Sequence, residues 1–430
     1  MNILKKGDSK LLNAWAFYDW ANSVYTLVII SAIFPIFYAS LFSKESKEIA
    51  VFGTTLSNTA LITFVTAFSF LVVAILSPLL SGIADYIGNK KRFLQFFCYL
   101  GSLCCIGLYF FEIKNIYFGL SCYFFALIGY WGSLVFYNSY LPDVAFKEQQ
   151  DDLSAKGYSM GYVGSVILLA ICLFLIIGKE GQEAVKAMRL SFALTGSWWF
   201  LFAQYTFYYL PKGNQQSQKV TKAVFFNGFK ELLKVKNQLF ENKSLKRYLM
   251  AFFVYSMAVQ TVILVATYFG EKEITWQNDS EKRFGLIVSI LVINIVAILG
   301  AILTSKASKK FGNIPTLIGI NAIWVAICCC AFFVTLPIHF YVTACFVGLV
   351  MGGIQALSRS TYSKFLPETQ DTTSFFSFYD VTEKIGIVIG MSLYGIVDQI
   401  TGSMRNSILF LGVFFIVGLV LLLRVPRSEA

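Results

Sequence analysis

Histidine occurs once, at His339, and charge is scarce: 14% of the residues are Asp, Glu, Lys or Arg, against roughly 25% in a soluble domain. No Gly-x4-Gly-Lys-Ser/Thr segment is present to cradle a nucleotide phosphate, which disfavours ATP hydrolysis. The nine cysteines fall inside apolar runs at spacings that fit neither a zinc site nor a disulfide framework, so they read as small hydrophobes. With one histidine and no convergent nucleophile, acid and base, neither an enzyme nor a metal or cofactor is expected. His339 reads as a solvated turn residue rather than a proton-handling group.

What the chain has instead is apolar length. Hydrophobic residues make up 57% of it and mean hydropathy is +0.66. A bilayer core about 30 Å thick needs roughly 20 apolar residues per spanning helix, because the backbone must satisfy its own polar groups there. Six such runs lie near residues 11–42, 56–80, 93–111, 117–141, 157–177 and 190–210, and six more near 248–270, 284–304, 314–334, 340–365, 375–397 and 408–423. The first run, broken by Asn13, Asp19 and Asn22, is too long for a signal-peptide core and reads as a retained span. The expectation is an all-α polytopic membrane protein of twelve transmembrane helices: a six-helix bundle over 1–210, a basic linker over 211–247 and a second six-helix bundle over 248–430.

Lysine and arginine set the topology, since cytoplasmic loops carry them in excess. Both termini inside places 24 of them on the inner side against ten outside, with Lys384 left within a span. The net charge of +11 is then a topology signal, and no nucleic-acid partner is needed to explain it. Residues 211–247 carry nine basic side chains, and Val224, Phe225, Phe229, Leu232, Leu233, Leu239 and Phe240 recur near helical spacing. An amphipathic helix on the inner membrane face is expected there, as a tether or a regulatory element.

The two halves repeat. Tyr137-x2-Tyr140-Leu141-Pro142-Asp143 ends the fourth span, and Tyr362-x2-Phe365-Leu366-Pro367-Glu368 ends the tenth. Gly88-Asn89 matches Gly312-Asn313, and Tyr18-Asp19-Trp20-Ala21 has a fainter echo in Tyr255-Ser256-Met257-Ala258. Two copies of one bundle related by an axis along the membrane normal put a substrate site at their interface near mid-membrane.

The segment Gly82-Ile83-Ala84-Asp85-Tyr86-Ile87-Gly88-Asn89-Lys90-Lys91-Arg92 resembles the loop signature of the major facilitator superfamily. That resemblance implies a cytoplasmic latch of Gly82, Asp85, Gly88, Lys91 and Arg92 against the start of the eleventh helix. In the second copy Lys306 and Lys309 stand in for Gly82 and Asp85, so the latch is expected to rest mainly on the first half. Further blocks, 16–23, 136–142, 154–162, 348–360 and 375–380, resemble the vacuole-effluxer-like branch, whose fungal members are associated with amino-acid efflux from the vacuole. One family acid is missing, at Met257. The fifth span lacks the Gly-Pro element of many drug antiporters, which lowers the expectation of drug efflux.

Ionisable groups inside spans cost roughly 2.5–3.5 kcal/mol each at a helix centre and need a reason. Asp19 is either a cavity acid, and then a candidate proton carrier, or an interfacial acid bonded to a neighbouring helix. Asp380, Glu383 and Lys384 share one side of the eleventh span, as an internal Asp380–Lys384 ion pair or as substrate contacts. Arg359 is expected to gate by pairing with an acid of the latch loop or Glu368, or to bind a substrate carboxylate. Trp20, Asn22, Tyr25, Tyr137, Asn138, Tyr255, Gln260 and Gln355 complete the substrate and coupling candidates. Gly157-x3-Gly161 and Gly348-x3-Gly352 permit close helix packing. The reading is a monomeric secondary transporter of a small polar solute such as an amino acid, with protons as the candidate coupling ion, in a bacterial cytoplasmic membrane. A nutrient sensor on the same scaffold and a facilitative uniporter are the alternatives; short polar termini speak against the sensor.

Overall fold

The structure, a computed structural model, describes residues 4–42, 48–51, 54–212 and 224–426. The first span is Ser9–Ser40, here α1, in which Tyr25–Ile33 widens to π-helical geometry. It is followed by α2 (Asn58–Ile87), α3 (Lys90–Gly107), α4 (Ile116–Asn138), α5 (Lys147–Ile176) and α6 (Gly181–Tyr209). The linker helix is α7 (Val224–Glu241). The second set is α8 (Lys243–Glu273), α9 (Asp279–Phe311), α10 (Asn313–Ala331), α11 (Pro337–Phe365), α12 (Thr372–Thr401) and α13 (Met404–Leu422). The one departure from an all-helical chain among the described residues is a small antiparallel hairpin, Glu48–Val51 with Thr54–Ser57, between α1 and α2.

Eleven of the described helices are long and apolar enough to cross a bilayer. The expected sixth span is α6: its 29 residues suffice in length, about 43 Å at 1.5 Å per residue. Glu183, Lys186 and Arg189 in its first turns dilute its hydropathy, and Arg189 pairs with Glu112 at 3.1 Å. The spans also start earlier than apolarity indicates. Helix α5 begins at Lys147 rather than near 157, because Gln150, Asp151 and Ser154 are buried against other helices and never meet lipid.

Buried apolar residues fall into two large clusters, one drawn from residues 11–210 and one from Tyr162 and residues 235–425, and a small third of Ala155, Ala301 and Ala356. The two large clusters are the cores of two six-helix bundles, whose outer surfaces expose Phe64, Phe174, Phe333 and Ile400 as lipid contact demands. Gly88 and Gly312, equivalent in the repeat, both have positive φ (71° and 87°), which favours glycine at the ends of α2 and α9, although only Gly88 takes the left-handed helical conformation. Helices α9 and α11 approach so closely that a Cβ at Gly352 would collide with the Ala297 carbonyl, and one at Gly348 with that of Ile293.

The linker helix spans Val224–Glu241. Val235 and Leu239 are buried, whereas Phe226, Phe229, Leu233 and Phe240 are exposed. Lys234 ties it to Asp371, at 3.0 Å, just before α12. Linker residues 213–223 and the side chains of Val224 and Phe225 lie outside the described residues. His339 is exposed in the first turn of α11, and Cys329, Cys330 and Cys345 are exposed on the lipid-facing surface while Cys98, Cys105, Cys122, Cys172 and Cys328 are buried.

Candidate functional site

At the face that carries both chain ends, the two bundles meet through three polar sets. The first is the loop between α2 and α3. Asp85 accepts hydrogen bonds from the backbone N–H groups of Thr373 (3.3 Å) and Ser374 (2.7 Å), the first turn of α12. Those amides have no partner within their own helix, and the positive end of the helix dipole favours a carboxylate there. Lys90 adds the other side: it donates to Thr372 Oγ1 at 2.8 Å and to the Ser139 carbonyl at 2.9 Å, and pairs with Asp143 at 2.5 Å. Lys91 instead donates to the Leu210 carbonyl within its own bundle, and Arg92 is exposed. Gly82 is buried in the last turns of α2.

The second set joins the start of α5 to the end of α9. Asp151 accepts from Asn313 Nδ2 (2.9 Å), Lys364 Nζ (2.7 Å) and Ser308 Oγ (3.2 Å), while Asp152 takes Ser305 Oγ at 2.7 Å and the Lys309 ammonium. The expected asymmetry is therefore not what the structure has. The second copy carries Lys309 where the first carries Asp85, and the acids it meets stand on the other bundle, so the polarity is reversed.

The third set is deeper. Arg359 is 2% exposed, and its Nη2 lies 3.1 Å from Asp19 Oδ2. Its remaining donors reach Ser154 Oγ and carbonyl and Asn138 Oδ1, and its plane lies among the rings of Tyr158, Trp15 and Tyr137 at 4.3, 4.8 and 5.5 Å. Tyr137 donates to the same Asp19 oxygen at 2.8 Å. The partner of Arg359 is thus Asp19, not an acid of the 82–92 loop or Glu368, which is exposed. Gly157 makes room, since a Cβ there would strike Asp19 Oδ2.

Toward mid-helix, Lys384 bonds Asp380 (2.7 Å) and Glu383 (3.0 Å) on α12, and Gln260 of α8 donates to Glu383 Oε1 at 2.7 Å. The Lys384 ammonium sits 3.8 Å from the ring centroid of Trp131, which belongs to α4 of the other bundle. Tyr162 and Gln355 also meet across the bundles, at 2.7 Å. The other candidates sit inside single bundles. Trp20 stacks on Trp198; Asn22 is fully buried beside Ser23; Tyr25 packs on Tyr130 with its hydroxyl unbonded; Tyr255 bonds Ser358 and Tyr248. On the opposite face, Arg189–Glu112, Arg405–Glu273 and Lys272–Asp398 each join residues of one bundle.

Sequence reasoning missed Asp151, Asp152, Asn313, Ser154 and Lys90 as contacts between bundles. Lys90 and Asn313 lie in the repeated Gly-Asn turns and were legible as turn chemistry. The α5 acids had no signal, because a charged helix start next to a predicted inner loop looks like solvated surface.

The sequence profile described as "Vacuole effluxer Atg22 like" matches residues 7–150 and 143–430. An uncharacterized MFS-type transporter of Bacillus subtilis, YxiO, is 31% identical over 99% of this chain and 97% of its own length. Autophagy-related protein 22 of Pichia angusta is 24% identical over 88% of this chain and 77% of its own. The fold resembles that of the transporter FucP in its outward conformation, with a TM-score of 0.71 at 14% identity over 98% of both chains. These matches, with two six-helix bundles closed on each other at one face, make the chain a member of the vacuole effluxer Atg22-like family, a membrane transporter of the major facilitator fold.

Proposed function

We propose that the protein moves a small polar solute, of amino-acid size, by alternating access coupled to protons. The bundles over 1–210 and 248–430 rock about a site between them, and residues 211–247 tether them on the cytoplasmic side. The observation that carries the reading is the contrast between faces. Polar contacts between bundles gather at the face bearing the chain ends, and the ion pairs of the opposite face stay within bundles. A closed face of this kind is one end state of a rocking cycle. The Asp19–Arg359 pair acts as its deepest gate, and the Asp85 and Asp151 sets as outer latches. The polar groups around the gate, Tyr158, Gln355, Gln260 and Glu383, suit a zwitterion or neutral polar solute better than a polyanion. The positive-inside count supports cytoplasmic termini, and the match to a vacuole-effluxer family model supports export of a solute, for which amino acids are the first to try.

The test is counterflow in vesicles reconstituted with the purified protein, screened with labelled amino acids, peptides and sugars with and without a pH gradient. Saturable exchange of an amino acid, faster with an imposed gradient, is expected. Exchange limited to sugars would overturn the substrate class, and exchange indifferent to the gradient would overturn the coupling.

A further inference from the structure

We propose that Asp380, Glu383 and Lys384 form a proton-binding site between the bundles, holding one proton shared by two carboxyls, and that this site rather than Asp19 carries the coupling proton. The inference rests on the transport reading above and names the group that reading leaves open.

Charge counting at atomic positions decides between the two acids. Asp19 is one carboxylate facing one guanidinium, so that pair is neutral without a proton. On α12 two carboxylates share one ammonium, which leaves one negative charge in excess. Asp380 and Lys384 are 6% and 1% exposed, so water does not screen it. One proton held by the two carboxyls would bring the set to neutrality.

Hydrogen bonding points the same way. Both oxygens of Glu383 are engaged, by Gln260 and by Lys384. Asp380 Oδ1 takes the other Lys384 bond, whereas Asp380 Oδ2 is buried and accepts from no protein group. A buried carboxylate oxygen without a donor is costly, and protonation removes the charge that makes it so. The Glu383 side chain is 17% exposed, which makes it the member of the set that water reaches most readily.

Among the described residues no other charged side chain pairs with the set. Helix α4 faces it with Tyr130 and Trp131, α5 with Tyr158, α8 with Gln260, and α12 itself with Tyr379. Arg359 of α11 and Asp19 of α1 balance each other. Helices α2, α7 and α13 bring Asp85, Glu231, Lys234 and Arg405 only near the membrane surfaces. Because Lys384 rests on Trp131 of the opposite bundle, the charge of the set bears directly on the contact that rocking must change.

Infrared difference spectroscopy of the protein in lipid nanodiscs, between neutral and alkaline pH, reads the carbonyl stretch of a protonated carboxyl without any solute. The wild type should show this band at neutral pH and lose it in alkali. Asp380→Asn and Glu383→Gln should each abolish it, since either leaves one acid against Lys384; Asp19→Asn should keep it, and Lys384→Gln should enlarge it. A wild type without the band, a band surviving both acid substitutions, or one lost in Asp19→Asn overturns the site. Melting curves of each variant show which are folded, and the more exposed Glu383 keeps the test open if Asp380→Asn fails to fold. Vesicle exchange separates the two readings. A band that behaves as expected beside exchange indifferent to a pH gradient removes the coupling role and leaves the site, whereas gradient-driven exchange unaltered in Glu383→Gln overturns the assignment of the coupling proton to this site and leaves the transporter.

Discussion

Arg359 and Asp19 stand 340 positions apart in the chain and 3.1 Å apart in the fold, joined at the contact between the two bundles. Neither is exposed enough for water to replace its partner. A buried pair of this kind is weak as net stabilisation, yet removing one member leaves a bare charge and costs about 3–5 kcal/mol.

The two single substitutions Asp19→Asn and Arg359→Gln should therefore each lower stability by several kcal/mol, and the double substitution should cost clearly less than their sum. Melting of the four proteins in detergent gives the coupling energy directly. Additive effects would mean that the pair is not formed in solution.

Removing Asp85 strips the first turn of α12 of its capping acceptor. Asp85→Ala should cost about 1–2 kcal/mol, the range for losing an N-cap acceptor, and should raise amide hydrogen exchange at Thr373 and Ser374. Asp85→Asn keeps an acceptor oxygen and should lie between. Exchange equal to wild type in the alanine variant would contradict the contact.

Asp151 and Asp152 are neighbours with unequal surroundings, their side chains 5% and 52% exposed. Asp151→Ala leaves Lys364 and Asn313 facing each other without an acceptor between them and should cost about 2–3 kcal/mol. Asp152→Ala removes a solvated pair and should stay within about 1 kcal/mol. Urea titration in mixed micelles would rank them, and equal effects would refute the burial argument.

Gly352 and Gly319 are both helical glycines, and they should respond with opposite signs. A methyl at 352 meets the fixed Ala297 carbonyl and should destabilise by about 1–3 kcal/mol. At 319 nothing lies within 4 Å, so alanine should gain up to about 1 kcal/mol through helix propensity. Thermal unfolding of the two variants settles the comparison.

Much of the fold was legible because a bilayer imposes a length on every helix, and because duplicated turns such as Gly88-Asn89 and Gly312-Asn313 keep their residues. The Asp380–Lys384 pair was legible too, since both members lie four apart on one helix. The Arg359–Asp19 pair was not: each residue had several acids or bases within reach by sequence, and only the crossing of α11 over α1 and α5, with Gly157 leaving space, selects one. Asp151 was unreadable for the opposite reason, since its partners come from α9, α10 and α11, all in the other bundle.

The sequence by itself determined that this chain crosses a membrane many times, in two related halves. Those properties follow from composition and local periodicity, which act along the chain. Tertiary structure alone decided which charges neutralise each other. Asp19 is matched one-to-one while Asp380 and Glu383 compete for Lys384, because in a low-dielectric interior the nearest opposite charge dominates, and nearness there is set by packing between helices far apart in sequence.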